Sequence, residues 1–150
     1  MEEKIHTDEY GEKTFVVYDD TGKELYQKYP SGGDEEVIVE SVYHKNQLAS
    51  KVTYFAYGIS VFGTESLDGT FYKEFTFGGK QEGYWLSELH RENYVNGKKV
   101  YEYYDGDEEW FDYDSNGNLI HSTDSDGNKK NYEYDSYGNL TRIKKQAESK

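Results

Sequence analysis

An acidic run in the last third of the chain is where residue types and spacing first point to chemistry. Residues 105–112 read Asp-Gly-Asp-Glu-Glu-Trp-Phe-Asp. On a β-strand, alternate side chains point to opposite faces, so Trp110 and Asp112 would share one face and Glu109 and Phe111 the other. Carboxylates around an aromatic anchor are typical of a surface that steers and binds a basic protein. The simpler alternative is a solvated edge that resists strand pairing. The predicted partner-binding residues are Asp105, Asp107, Glu108, Glu109, Trp110 and Asp112.

The same region carries a candidate calcium site at Asp112, Asp114 and Asn116. With Gly117, these residues match the first six positions of an EF-hand loop, where side-chain oxygens at positions 1, 3 and 5 bind the ion. Thr123 stands where such a loop needs a bidentate glutamate. A strand ending in an Asn-Gly hairpin turn explains the same residues. We therefore favour the turn, and we expect no cofactor.

Catalytic chemistry has little support in this sequence. The four histidines, at positions 6, 44, 90 and 121, form no i, i+4 pair and have no carboxylate at metal-ligand spacing. Cysteine is absent, as are the glycine-rich motifs of nucleotide-binding proteins and serine hydrolases. The sequence therefore predicts a protein that is not an enzyme and has no catalytic residue.

Charge limits the classes of partner. Thirty acidic and 17 basic residues give a net charge of −13, which repels nucleic acid and anionic lipid and favours a basic protein partner. No segment approaches the ~20 apolar residues that span a bilayer, and the first ten residues lack an apolar core. We expect a cytoplasmic protein, or an extracellular one if a leader has been removed, with neither nucleic acid nor membrane as partner.

Regularly spaced turn residues indicate the elements that position these side chains. From Gly97 onward, glycines preceded by Asn, Asp or Tyr recur at intervals of 9 to 11 residues, and β-branched and aromatic residues alternate between the turns. This pattern predicts an all-β domain over residues 1–150: a twisted antiparallel meander of roughly ten to thirteen short strands, curled into a half-barrel. Residues 81–92 fit either a helix or a strand, and residues 144–150 are expected to form a frayed tail.

A near-copy of one segment follows 21 residues later. Phe111-Asp-Tyr-Asp-Ser-Asn-Gly-Asn-Leu119 is followed by Tyr132-Glu-Tyr-Asp-Ser-Tyr-Gly-Asn-Leu140. Residues 111–145 resemble the YD repeats of Rhs-type proteins. The resemblance implies hairpins with Gly117 and Gly138 at the turns and with Tyr113 and Tyr134 packed between strands. Residues 18–25 are a weaker echo of this repeat, and residues 93–100 are similar to the hairpins of MORN-like antitoxin proteins.

Three functional hypotheses follow. The first is a non-enzymatic protein-binding module, specifically an immunity or antitoxin-type inhibitor of a polymorphic toxin, by analogy with proteins that carry such repeats. The second is a structural or adhesive repeat module of a surface protein. The third is an acidic mimic of nucleic acid that inhibits a nuclease. Exposed sheet edges would also allow self-association.

Overall fold

The computed structural model describes residues 1–33, 35–58 and 69–146, and over these residues the protein is all-β with twelve strands and no helix. The strands are β1 (Glu2–Thr7), β2 (Lys13–Tyr18), β3 (Glu24–Pro30), β4 (Glu35–His44), β5 (Gln47–Gly58), β6 (Phe71–Phe77), β7 (Lys80–Val95), β8 (Lys98–Tyr104), β9 (Asp107–Tyr113), β10 (Leu119–Asp124), β11 (Lys129–Tyr134) and β12 (Leu140–Gln146). The all-β prediction is confirmed, and residues 81–92 lie wholly in β7. Nowhere in these described ranges is there a helix long and apolar enough to cross a membrane.

The strands form one antiparallel sheet that stays open. They follow one another as neighbours from β1 to β12, except that β6 branches from the path and pairs only with β7. The long strand β7 makes this branch possible: residues 84–93 pair with β5, residues 80–86 with β6, and residues 90–95 with β8. The predicted meander is therefore confirmed, with a single interruption at β6.

The first seven strands curl around an aromatic core. The ring of Tyr26 on β3 lies 4.7 Å from that of Phe77 and 5.1 Å from that of Phe75, both on β6. Strands β4, β5 and β7 separate β3 from β6 within the sheet, so these contacts require the sheet to bend until β6 faces β3. The predicted half-barrel is present in this region. Its buried core is Val17, Tyr26, Ile38, Val52, Tyr54, Ala56, Phe75, Tyr84 and Leu86.

Strands β8 to β12, by contrast, form a single layer. Ser122 is the only buried residue that the structure describes after β7, and every residue of β12 is exposed. Strand β12 includes residues 144–146, which were expected in the frayed tail, and residues 147–150 lie outside the described ranges. The repeat region therefore depends on hairpin geometry and on its continuity with β7 rather than on a core of its own.

An aspartate-centred turn recurs along the sheet. Asp114 illustrates it: the carboxylate Oδ1 accepts the backbone N–H groups of Asn116 and Asn118, at 2.9 and 2.8 Å. The backbone N–H of Asp114 donates to the carbonyl of Asn118, and Gly117 closes the turn with a φ of 85°. This left-handed conformation favours glycine. The same pattern of bonds begins at Asp8, Asp19, Asp114, Asp124 and Asp135.

Two-residue turns join other neighbouring strands. Asn96-Gly97 and Asp105-Gly106 both have positive φ angles, as the type I′ turns of hairpins require. Lys45-Asn46, between β4 and β5, adopts the same geometry without a glycine. The sequence pattern predicted the first two turns and missed the third, because Lys-Asn is not a common hairpin pair.

Removing core volume at β7 should cost far more stability than removing exposed side chain at β12. Leu86 is 0% exposed and Ile143 is 46% exposed. We expect Leu86→Ala to lower the free energy of unfolding by about 3 kcal/mol, through lost transfer energy and a residual cavity. Ile143→Ala should cost less than about 1 kcal/mol. Urea denaturation followed by far-UV circular dichroism measures both, and equal losses would contradict a core confined to the first seven strands.

The aspartate turns should make stability depend on pH. Hydrogen bonds from the backbone of Asn118, from its side chain and from the backbone of Asn116 hold the pKa of Asp114 below its ordinary value of 3.8. A lowered pKa stabilises the fold above the unfolded-state pKa, and this contribution disappears as pH falls through the folded-state pKa. Asp114→Ala should therefore lower the thermal midpoint at pH 7, and this deficit should be smaller near about pH 2.5.

Asp112→Ala is the matched control, because Asp112 is exposed and its carboxylate makes no hydrogen bond within the described ranges. Its midpoint should follow the unmodified protein at both pH values. A deficit of Asp114→Ala that persists unchanged at low pH would show that the carboxylate charge is not what holds the turn.

Candidate protein-binding surface

The predicted acidic run lies on a turn and on strand β9, and strand geometry divides it between two faces. Trp110 and Glu108 share a face with Tyr101 of β8: the Trp110 and Tyr101 rings lie 5.7 Å apart, and the Tyr101 hydroxyl donates to Glu108 Oε2 at 2.5 Å. Asp107 and Glu109 belong to the opposite face. The run is thus not one patch, since its six residues do not all face the same way.

Pairing across neighbouring strands builds a larger acidic feature that includes Glu109. Glu92 of β7 lies opposite Glu102 of β8, Glu102 lies opposite Glu109 of β9, and Glu109 lies opposite Asp124 of β10. Directly paired residues point to the same face, and neighbouring strands are about 4.8 Å apart. We call Glu92, Glu102, Glu109 and Asp124 the carboxylate row.

The carboxylate row lies on the sheet face opposite the aromatic core. Val52, a core residue, pairs with Arg91, whereas its exposed neighbour Lys51 pairs with Glu92. Because side chains alternate along β5 and β7, Glu92 points to the same side as Lys51 and away from the core. The row therefore continues the outer surface of the curled region.

One half of the carboxylate row is bridged by a lysine of the same sheet. Lys99 Nζ lies 3.1 Å from Glu92 Oε2 and 3.2 Å from Glu102 Oε2, so it bridges the two carboxylates. His90 Nε2 lies 2.8 Å from Glu102 Oε2, and the Tyr94 hydroxyl donates to Glu92 at 2.7 Å. These contacts offset the repulsion between the paired glutamates.

The pKa values of this half reflect those contacts. The hydrogen bond with His90, followed by that from Lys99, outweighs burial and lowers the pKa of Glu102. Burial would raise the pKa of Glu92, but hydrogen bonds from Tyr94 and Lys99 bring it below its ordinary value. Burial and the bond to Glu92 raise the pKa of Tyr94 to about 12. Both carboxylates are therefore ionised at neutral pH and held by a shared cation.

The other half of the row makes no ion pair among the described residues, although the charge of Lys130, together with the stronger effect of hydrogen bonds from Asn128, helps to lower the pKa of Asp124. No lysine or arginine in the described part of the chain is within ion-pair distance of Glu109, and Asp124 uses its carboxylate to form the next turn. A shallow hollow of about 270 Å³ opens here. Its lining combines β8, β9 and the turn after β10: Glu102, Tyr104, Asp107, Glu108, Glu109, Asp124, Ser125 and Asp126. This hollow concentrates negative charge, and no lysine or arginine belongs to its lining.

The same contacts correct one sequence-based expectation. No carboxylate was expected near a histidine at metal-ligand spacing, yet ligand atoms of His90, Glu92 and Glu102 all lie within 4.8 Å of one another. His90 and Glu92 alternate on β7, a signal that was available in the sequence, whereas Glu102 is brought in only by the register of β8. Imidazole and carboxylate suit several divalent metals. Lys99 already bridges the two carboxylates, so the arrangement is explained as an ion-pair cluster.

The calcium candidate residues have other positions. The Asp114 carboxylate accepts the N–H groups of Asn116 and Asn118, and Asn118 Nδ2 donates to its second oxygen at 3.3 Å. Asp112 lies in β9 opposite His121 of β10. The turn interpretation therefore accounts for Asp114 and Asn116, and calcium binding there stays an untested alternative.

One tyrosine in each repeat bonds to the strand before it. The Tyr113 hydroxyl donates to the carbonyl of Lys99 at 2.6 Å, and the Tyr134 hydroxyl donates to the carbonyl of Leu119 at 2.7 Å. The two repeats thus use the Tyr-Asp pair in the same way: tyrosine bonds to the preceding strand, and aspartate forms the turn.

Comparison with known families agrees with this geometry. Residues 113–145 match the family model described as RHS Repeat. The Rhs-type resemblance of this segment is therefore confirmed, and the segment is a repeat module of the kind found in Rhs-family proteins. No curated protein matches the chain. The MORN-like resemblance of residues 93–100, which contain the turn between β7 and β8, stays a prediction.

Removing the cation shared by Glu92 and Glu102 should destabilise the fold, because the two paired carboxylates then repel each other without compensation. We expect Lys99→Met to lower the free energy of unfolding by roughly 1–2 kcal/mol at neutral pH, because two half-buried carboxylates lose a charged donor. Both glutamates have lowered pKa values, so this contribution is present above their ordinary value of 4.5 and is lost as pH falls further. The deficit of the variant should shrink accordingly in urea denaturation below pH 4.5.

Lys13→Met is the control for this variant, because Lys13 is exposed and makes no ion pair among the described residues. Its stability should stay within about 0.5 kcal/mol of the unmodified protein. If the stability of Lys99→Met also stays within this range, Lys99 does not hold the carboxylate row together.

Proposed function

We propose that this protein is a non-enzymatic protein-binding module whose carboxylate row binds a basic segment of a partner. The observation that carries the proposal is the direct pairing of Glu102 with Glu109 and of Glu109 with Asp124 on adjacent strands. Like charges directly opposite each other in a sheet are destabilising. A cationic partner at Glu109 would relieve this repulsion, as Lys99 does for Glu92 and Glu102.

The proposed interface is the hollow beside Glu109. It presents Asp107, Glu109, Asp124 and Asp126 on one side of the sheet, with Tyr104 at the margin as a 57% exposed aromatic side chain. Lysine and arginine side chains are long enough to reach carboxylates in a shallow hollow, and arginine can also stack on tyrosine. The net charge of −13 adds long-range attraction for a basic protein.

Within this class we propose an immunity or antitoxin-type inhibitor of a polymorphic toxin. The RHS-type repeat at residues 113–145 supports this by analogy of domain type. The acidic hollow supports it by chemistry, since a toxin that acts on nucleic acid needs a basic surface that such a hollow could cover. Extended mimicry of nucleic acid has less support, because Lys99 already forms ion pairs with two of the four carboxylates in the row.

A structural or adhesive module is the second candidate. The observation that favours it is the open sheet, in which β1 and β12 each pair with a single strand of the described chain. A module that extends a larger sheet would need such edges, whereas an inhibitor would need the acidic hollow. The two functions thus depend on different surfaces and are separable by mutation.

Neutralising the outward-facing acids should weaken partner binding. We expect the double variant Asp107→Asn and Glu109→Gln to raise the dissociation constant for a basic partner by about tenfold or more. The measurement is affinity capture from a lysate of the native host, with mass spectrometry, at low and high salt. The captured partner is then purified, and its affinity is measured by calorimetry.

The matched control is Asp112→Asn with Glu133→Gln, which removes the same charge from exposed residues that do not line the hollow. It should retain the partner that the first variant loses. Equal binding by both variants would remove the hollow from the interface. Recovery of nothing but copies of this chain or cell-surface material would favour the structural module.

A further inference from the structure

The two ends of the sheet are open edges that resemble each other in exposure. Every residue of β1 and every residue of β12 is exposed, and each strand has a single neighbour within the described ranges. Such strands carry unpaired backbone N–H and C=O groups that can pair with another chain. The third strand with a single neighbour, β6, instead packs its rings against the core.

The two edges differ in charge. Strand β12 carries Arg142, Lys144 and Lys145 and no acidic residue. In contrast, the segment of β1 and its turn, residues 1–12, contains five carboxylates and one lysine. In a chain with a net charge of −13, β12 is a positively charged edge and the β1 segment is a strongly negative one.

Exposed apolar side chains accompany these charges. Ile5 on β1 is 65% exposed, and Leu140 and Ile143 on β12 are 51% and 46% exposed. A strand added at either edge would cover such residues and add apolar burial to the backbone hydrogen bonds.

Charge also decides which edges are compatible. Two β12 strands brought together would place Arg142, Lys144 and Lys145 beside their own copies, and two β1 strands would do the same with Glu2 and Glu3. Like charges opposite each other in a sheet are unfavourable, whereas opposite charges stabilise. Identical edges therefore repel, and different edges attract.

We propose that copies of this chain associate head to tail, with the basic β12 edge of one copy pairing with the acidic β1 edge of the next. This inference goes beyond the proposed function, since it uses the edges of the sheet and not the hollow beside Glu109. A contact between two different surfaces leaves one of each free after every addition. Assembly then produces open chains, or rings where the rotation between copies closes, rather than two-fold symmetric dimers.

Sedimentation velocity of the full chain tests this assembly. At about 20 mM salt, the weight-average mass should rise beyond that of a dimer as protein concentration increases. At about 500 mM salt it should fall back toward the monomer, because screening weakens exposed charge pairs. A mass that stays monomeric at low salt, or that saturates at the dimer, would overturn the proposal.

A charge swap tests the two edges separately. Lys144→Glu with Lys145→Glu gives a variant in which both edges are acidic. Glu2→Lys with Glu3→Lys gives a variant in which both edges are basic. Each double variant alone should remain monomeric while keeping the circular dichroism spectrum of the unmodified protein. An equimolar mixture should associate again, because the acidic β12 of one variant meets the basic β1 of the other.

Failure of the mixture to associate, or association of either variant alone, would contradict β12–β1 pairing even if the unmodified protein self-associates. The variant Asp107→Asn with Glu109→Gln separates this proposal from the proposed function. It should assemble like the unmodified protein while losing the basic partner. Loss of assembly in that variant would place the self-contact at the hollow instead.

Discussion

The aspartate-centred turn is the interaction on which the rest of the sheet depends. One carboxylate oxygen of Asp114 accepts two backbone N–H groups and the other accepts an asparagine amide. These bonds are local, so the turn does not need tertiary packing to form. Each such turn fixes the register of the strands on either side, because a slip by one residue would move every side chain to the other face. The turn that begins at Asp114 connects β9 to β10, and the register there places Glu109 opposite Asp124. The acidic hollow is therefore a consequence of turn geometry.

The hydrophobic core and the proposed binding surface lie in different parts of the chain. The curled strands bury Ile38, Leu86 and the surrounding aromatic rings, which gives this region an ordinary hydrophobic core. Among the described residues, the single layer from β8 to β12 has no second sheet to pack against, so hydroxyl bonds such as that of Tyr113 to Lys99, together with the turns, hold it in place. A single layer also leaves both faces accessible. That is why a binding surface can form on the outer face of β8 to β10 without disturbing the core.

Turn residues in the sequence predicted the hairpins, whereas the acidic surface depends on pairing between strands that the sequence does not specify. Asn96-Gly97 and Asp105-Gly106 are hairpin signals in themselves, and the Tyr-Asp repeat made its hairpins readable. Lys45-Asn46 gave no such signal. The branch of β6 depends on the length of β7, which was ambiguous over residues 81–92 because its apolar residues fit either period. The pairing of Glu102 with Glu109 could not be predicted, since it requires the register of two strands. Strand alternation alone divided the acidic run between two faces, but it could not show that Glu109 lies between Glu102 and Asp124.

The two proposed contacts use the same physical principle in perpendicular directions. Glu109 and Asp124 repel each other across adjacent strands and would gain from a cation placed above the sheet. The β12 and β1 edges would gain from each other within the plane of the sheet, where Lys144 and Glu3 belong to different copies. Because one contact lies on a face and the other at an edge, occupation of one leaves the other free. Head-to-tail assembly would then repeat the hollow at every copy, and a basic partner with several sites would bind such an array more tightly than a single molecule.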